Sequence, residues 1–96
     1  MGLRFEWDAA KAAANLMKHH VSFDEATTVF RDALARIFAD EEHSVDEVRE
    51  IIVGHSIVGR LLLISFTERT HHTIRIISAR QATRTERKDY ENKRKP

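Results

Sequence analysis

The sequence predicts an α+β fold: a largely antiparallel sheet with two helices on one face and a further helix at the C-terminus. Three observations carry the prediction. The first third is rich in strong helix formers, two capping boxes mark helix starts, and four extended Ile/Val/Leu/Phe-rich runs follow one another across polar connections. With 96 residues the chain can bury one core and not two. A single domain over 1–96 is therefore expected, with a basic tail from about residue 92, and any site must lie on the surface of that one fold.

Taken in order, Leu3-Arg4-Phe5-Glu6-Trp7 alternates apolar and charged residues, the period of a short half-buried strand. Asp8 is a good N-cap for an alanine-rich helix from Ala9 to Met17 that ends near His19-His20. On it Lys11, Asn15 and Lys18 form one polar stripe, and Ala9, Ala13, Leu16 and Met17 face roughly the other way. Ser22-Phe23-Asp24-Glu25 reads as a capping box, opening a short helix to about Phe30. Strands are expected at Leu34–Ala39, Val48–Val53, Arg60–Thr67 and Thr73–Ala79, joined by polar stretches of which Gly54–Gly59 and Glu68–His72 are short enough for hairpins. A second capping box, Thr83-Arg84-Thr85-Glu86, starts a last helix through Tyr90, beyond which Asn92-Lys93-Arg94-Lys95-Pro96 frays. The predicted order is β-α-α-β-β-β-β-α.

The net charge of +1 conceals an asymmetry. Residues 1–58 carry six Lys/Arg against eleven Asp/Glu, and residues 59–96 carry ten against four, so the two parts are −5 and +6. A basic segment can gather phosphate oxygens and an acidic one can attract a basic partner, while folding can also bring the two together to neutralise each other. Without cysteine there is no disulfide framework, thiolate metal site or thiol nucleophile. No apolar run is long enough to span a bilayer, and the N-terminus opens on Arg4, Glu6 and Asp8 rather than a signal-peptide core, so a cytoplasmic location is expected. Neighbouring histidines diverge on a helix and point to opposite faces on a strand, so neither His19-His20 nor His71-His72 is a ready chelate. No metal or other cofactor is expected.

Several segments, in order, resemble the BrnT family. They are Phe5-Glu6-Trp7-Asp8 with Lys11, then Asn15, Lys18-His19, Val21 to Ala26, Val29-Phe30 and Asp32. The series continues with His43-Ser44, Glu47, Arg49, Gly54, Gly59-Arg60-Leu61-Leu62 and Thr67-Glu68-Arg69. It closes with Ile74 to Arg80, Ala82-Thr83, Glu86 and Tyr90. The resemblance implies a RelE-like fold, a toxin that cuts RNA, and a BrnA-type antitoxin that binds the toxin and carries the DNA-binding segment of the pair; a dimer within that complex is a further possibility. Three positions depart from the family pattern: His20 stands where glycine is common, Ala33 where proline is usual, and His71-His72 where small or acidic residues are expected.

Cleaving RNA without a metal requires that a 2′-hydroxyl lose its proton, that the phosphorane's charge be compensated, and that the departing 5′-oxygen be protonated. Arginine suits the second task, because its fork of donors fits phosphate oxygens and its charge is permanent. Arg49, Arg75 and Arg80 are the catalytic candidates of this kind. Arg75 and Arg80 differ by an odd number on one strand, so sharing a face requires a bulge or an end position. The competing reading gives each arginine its own carboxylate, such as Glu47, Glu68 or Glu86. For proton transfer the candidates are Lys18, His19 and Glu47. His19 also suits a cap on the last carbonyls of its helix. Arg69, Arg84 and Tyr90 are candidates for holding RNA, and Tyr90 can equally anchor its helix to the core. A different class stays open beside the nuclease: a non-catalytic RNA- or antitoxin-binding module acting in transcriptional autoregulation.

Overall fold

A computed structural model describes residues 2–43 and 47–94. Ser44 of the resemblance and Lys95-Pro96 of the basic tail lie outside the described residues. The strands are β1 (Arg4–Glu6), β2 (Arg36–Ala39), β3 (Glu50–His55), β4 (Leu61–Thr70) and β5 (Thr73–Gln81). The helices are α1 (Ala9–His19), α2 (Phe23–Thr28) and α3 (Arg84–Arg94). Two 3₁₀ turns, Val29–Arg31 and Glu41–His43, were not legible as such in the sequence. The order β-α-α-β-β-β-β-α holds, with strands lying β1-β5-β4-β3-β2 across one sheet. β2 to β5 form an antiparallel meander, and β1 joins it parallel to β5.

Alternation along the strands divides the core in two. Ile52, Leu62, Ile64, Phe66, Ile74, Ile76 and Ala79 point to one face, where Val21, Phe23, Ala26 and Val29 of the α1–α2 region cover them. Phe5 and Trp7 join this face, with Phe5 against Phe30 and Trp7 edge-on to Phe23. On the opposite face Val53 and Leu61 pack under Tyr90 of α3. The last helix therefore covers the second face of the sheet instead of standing at its end, and it runs to Arg94 rather than stopping at Tyr90.

The inward side of the first helix runs through Ala12 and Asn15, while Lys11 and Lys18 stay exposed. Asn15 is buried, whereas Leu16 and Met17 are exposed, Met17 by 82%. The cause lies at the sheet edge. β1 covers only the first three residues of β5, and the N–H and C=O of Ala79 point away from β4, beyond the end of β1. The Asn15 amide satisfies both: its Nδ2 donates to the Ala79 carbonyl (2.8 Å) and its Oδ1 accepts from the Ala79 N–H (3.1 Å). A second bond, to the Val21 carbonyl (3.0 Å), fixes the turn after the helix. One side chain thus takes the place of a neighbouring strand at an edge that is otherwise open.

Helix ends follow local chemistry. The Asp8 carboxylate accepts from the Lys11 N–H, which holds its pKa below the ordinary value. The box at Thr83 and Glu86 is reciprocal, with 3.1 Å and 2.8 Å bonds. The box at Ser22 is only half made. The Ser22 hydroxyl accepts from Glu25 N–H (3.0 Å), but the Glu25 carboxylate turns to Arg60 (Nε, 2.9 Å) and the Ser56 hydroxyl (2.7 Å). A charge-assisted pair outweighs the return bond to a backbone amide, and it ties α2 to the β3–β4 loop. His20 takes the left-handed conformation (φ 59°) at the end of α1, the position where the family's glycine would be cheapest.

Candidate functional site

Five charged side chains that the sequence scatters from residue 6 to residue 75 meet at one end of the sheet. Arg75 stands on β5 between Glu6 of β1 and Thr67 of β4, its register partners, so all three share the face away from α1 and α2. Arg75 Nη1 donates to Glu6 Oε2 at 3.0 Å. The same Glu6 oxygen lies 3.9 Å from Arg69 Nε, and Arg69 Nη1 reaches Glu47 Oε2 at 3.4 Å. Glu47 in turn lies 3.9 Å from Arg49 Nε. The chain Arg75–Glu6–Arg69–Glu47–Arg49 thus holds three guanidinium groups against two carboxylates.

The backbone explains why these residues converge. Arg69 is an extra residue in the β4–β5 ladder, between the Glu68–Ile74 and Thr70–Thr73 pairs, and bulges of this kind re-aim side chains. The buried Thr67 hydroxyl donates to the Val48 carbonyl at 2.7 Å, which pins the segment carrying Glu47 and Arg49 to the sheet. The turn that brings β4 back to β5 is tight, with His72 in the left-handed region (φ 66°). The His71 and His72 rings meet at the tip, tilted by 56° with centroids 3.8 Å apart.

The cluster has two properties that suit an anion. Among the described residues its ion pairs hold one guanidinium more than carboxylates, and its five side chains are between 32% and 50% exposed, so a ligand can compete with its carboxylates. Exposed carboxylate–arginine pairs contribute little to stability, and exchanging a carboxylate for a phosphate costs correspondingly little.

Other sequence candidates fall elsewhere. Ile77 is an extra residue on β5, unpaired between the Ser65–Ser78 and Phe66–Ile76 partners, and this shift puts Arg80 on the same face as Arg75. The two are nonetheless roughly 13 Å apart along the strand, too far to hold one phosphate group. Arg80 forms a two-pronged pair with Glu86 (2.8 and 2.9 Å). The Arg80 bond is the main reason the Glu86 carboxyl is held down at about 2. Lys18 and His19 occupy the last turn of α1, next to His20, whose carbonyl accepts from Arg60 at 3.0 Å. Arg60 and Arg69 flank opposite ends of β4, so this pair is on the order of 25 Å from the arginine cluster. Lys18 and His19 lie on the α1 side of the sheet, and Arg75 faces the other side. Tyr90 is 3% exposed and its hydroxyl donates to the Leu34 carbonyl (3.0 Å), the anchoring alternative. Arg84 is exposed at the start of α3.

Sequence reasoning missed Glu6 as a site residue. Its signal was present, since the strand alternation that sends Phe5 and Trp7 to the core sends Glu6 to the opposite face. Asp32 was likewise noted only as part of the resemblance. Its carboxylate accepts from the backbone N–H groups of Leu34 (2.9 Å) and His55 (2.8 Å), stitching the segment before β2 to the end of β3.

Fold and site together define a small α+β domain with an arginine–carboxylate cluster on one sheet face. Residues 7–86 match the family model described as "Ribonuclease toxin, BrnT, of type II toxin-antitoxin system", and the chain belongs to that family. Family membership implies a protein antitoxin as partner. A comparison with curated protein sequences finds no match. Among solved structures, the ribonuclease toxin BrnT of Brucella abortus is similar in fold, with a TM-score of 0.66 and 19% identity over 85% of this chain and 99% of that one.

Proposed function

We propose that this protein is a metal-independent endoribonuclease toxin that arrests growth, acts in the cytoplasm and is neutralised by a BrnA-type antitoxin. The observation that carries the reading is the convergence of Arg49, Arg69 and Arg75 around Glu6 and Glu47. A scissile phosphate entering the cluster displaces Glu6 from Arg75 and Arg69, and the guanidinium forks then face the equatorial oxygens of the phosphorane. Glu6 is the positioning residue that keeps the two forks apart and aimed when no RNA is bound. Glu47, held between Arg69 and Arg49, takes the proton of the attacking 2′-hydroxyl. The 2′-oxygen–phosphorus bond forms, the bond to the 5′-oxygen breaks, and water protonates the leaving oxygen, while Glu47 returns its proton to solvent. The products are a 2′,3′-cyclic phosphate and a 5′-hydroxyl.

Arg80 serves through Glu86 to set α3 against the sheet, and with Arg84 it extends the basic surface along which the strand can run. The RelE-like comparison implied by the sequence fits a compact sheet with its chemistry on one face. Incubation of the purified toxin with RNA in the presence of a chelator tests the proposal. Cleavage ending in 2′,3′-cyclic phosphates is expected. RNA binding without cleavage would instead favour the non-catalytic regulatory module.

A further inference from the structure

β2 is an edge strand, and among the described residues no strand pairs with its outer side. The Asp40 N–H donates to the Arg49 carbonyl at 2.9 Å, which sets the alternation of the β2–β3 ladder. By that alternation the N–H and C=O groups of Ile37 and Ala39 point away from β3. Among the described residues no backbone group meets them there. The side chains on the same strand are no less exposed: Ile37 is 55% and Phe38 50% exposed, on opposite faces of the sheet. Beside Phe38, under α3, lies a groove of about 610 Å³ with an apolar floor of Ile51, Val53 and Leu63 and with Arg36 and Arg80 at its border.

We propose that the antitoxin docks here, laying an extended segment along β2 as a sixth strand and placing an apolar side chain in the groove. The inference rests on the antitoxin partner named above and assigns its seat. Outward N–H and C=O groups at alternate positions are met by another peptide backbone, with side-chain pockets supplying selectivity. An RNA strand offers no such backbone register. An acidic, apolar segment matches Arg36 and the exposed Arg84, Arg87 and Lys88 of α3. Docked there it lies at the edge of the sheet opposite β1, with β2, β3 and β4 between it and the strand that carries Arg75.

The test uses the full-length toxin and the purified BrnA-type antitoxin. Ala39→Pro removes one outward N–H and no bond of the β2–β3 ladder, and Ile37→Lys places a charge on the edge, so it stands in should the proline variant fail to fold. Both should cleave RNA as the unmodified toxin does, yet bind the antitoxin at least about tenfold more weakly. In the unmodified complex the Ile37 and Ala39 amides should exchange slowly with deuterium. Equal affinity for both variants without that protection overturns the seat, as does loss of RNA binding in them. A toxin dimer that Ala39→Pro separates, with antitoxin affinity unchanged, assigns the edge to a second copy and also overturns it. No binding of the antitoxin to unmodified toxin removes the partner, and the seat with it.

Discussion

Arg75 and Arg80 stand on the same face of β5 although five positions separate them, because Ile77 is an unpaired extra residue between them. Their surroundings divide their roles. Arg75 shares Glu6 with Arg69 in a solvent-accessible cluster, whereas Arg80 is committed to Glu86 at the start of α3. Arg75→Ala should lower RNA cleavage by about 100-fold or more while changing stability by less than about 1 kcal/mol. Arg80→Ala should lower stability by about 1 kcal/mol and affect cleavage far less. Single-turnover cleavage and urea unfolding of both variants check the contrast.

Salt dependence reports on the same cluster. Each arginine that neutralises a phosphate of single-stranded RNA releases counterions, contributing about 0.7 to the slope of log K against log salt. Arg69→Ala and Arg75→Ala should each flatten the slope by about that amount, and Arg60→Ala, which removes a residue held by Glu25, should leave it unchanged. Filter binding across a salt series measures it.

The edge bond of Asn15 should dominate the stability of the α1 region. Asn15→Leu leaves the N–H and C=O of Ala79 buried and unpaired, with an expected loss of about 2–4 kcal/mol. Denaturant unfolding reads the change, and a loss under about 0.5 kcal/mol would refute the role given to this side chain.

Gly54 of β3 lies where a Cβ would meet Ala35 Cβ at 2.8 Å, Asp32 Oδ2 at 3.0 Å and Val29 Cγ1 at 3.1 Å. None of these atoms is the end of a flexible chain, and Asp32 is held by the Leu34 and His55 amides. Gly54→Ala should therefore cost about 1–3 kcal/mol by overpacking, seen as a lowered melting temperature with the RNA-binding slope preserved.

Acid should weaken the α3 junction in a defined window. Glu86 has a folded pKa of about 2 against an ordinary 4.5, so its contribution is complete above pH 4.5 and is lost as pH falls toward 2. Since Glu86 and Arg80 side chains are 34% and 40% exposed, solvent screening holds that contribution to about 1 kcal/mol. Glu86→Gln should flatten the stability profile between those limits, measured by urea titrations at successive pH values.

Where period and capping chemistry act locally, the sequence was legible. Phe5, Glu6 and Trp7 alternate as expected, Asp8 and Thr83 cap as expected, and the four later strands appear within a few residues of their predicted bounds. Long-range demands account for what was not. Nothing near Asn15 in sequence signals that the Ala79 edge needs a partner, so the helix's polar stripe read as its outer side. Arg60, 35 positions away, drew the Glu25 carboxylate out of its capping box. At the site, arginine chemistry singled out Arg49, Arg69 and Arg75, but Glu6, the carboxylate that Arg69 and Arg75 share, depended on the parallel pairing of β1 with β5. Lys18 and His19 suited proton transfer by chemistry alone, and the fold places them at the other end of the sheet.

The most direct measurement is cleavage of a defined RNA, with chelator present, by unmodified toxin, Arg75→Ala and Glu47→Gln at matched folded concentrations. The account predicts cyclic-phosphate products from the unmodified protein and losses of about 100-fold or more in both variants, with RNA still bound by Glu47→Gln. Cleavage by Arg75→Ala within a few-fold of the unmodified rate would contradict it.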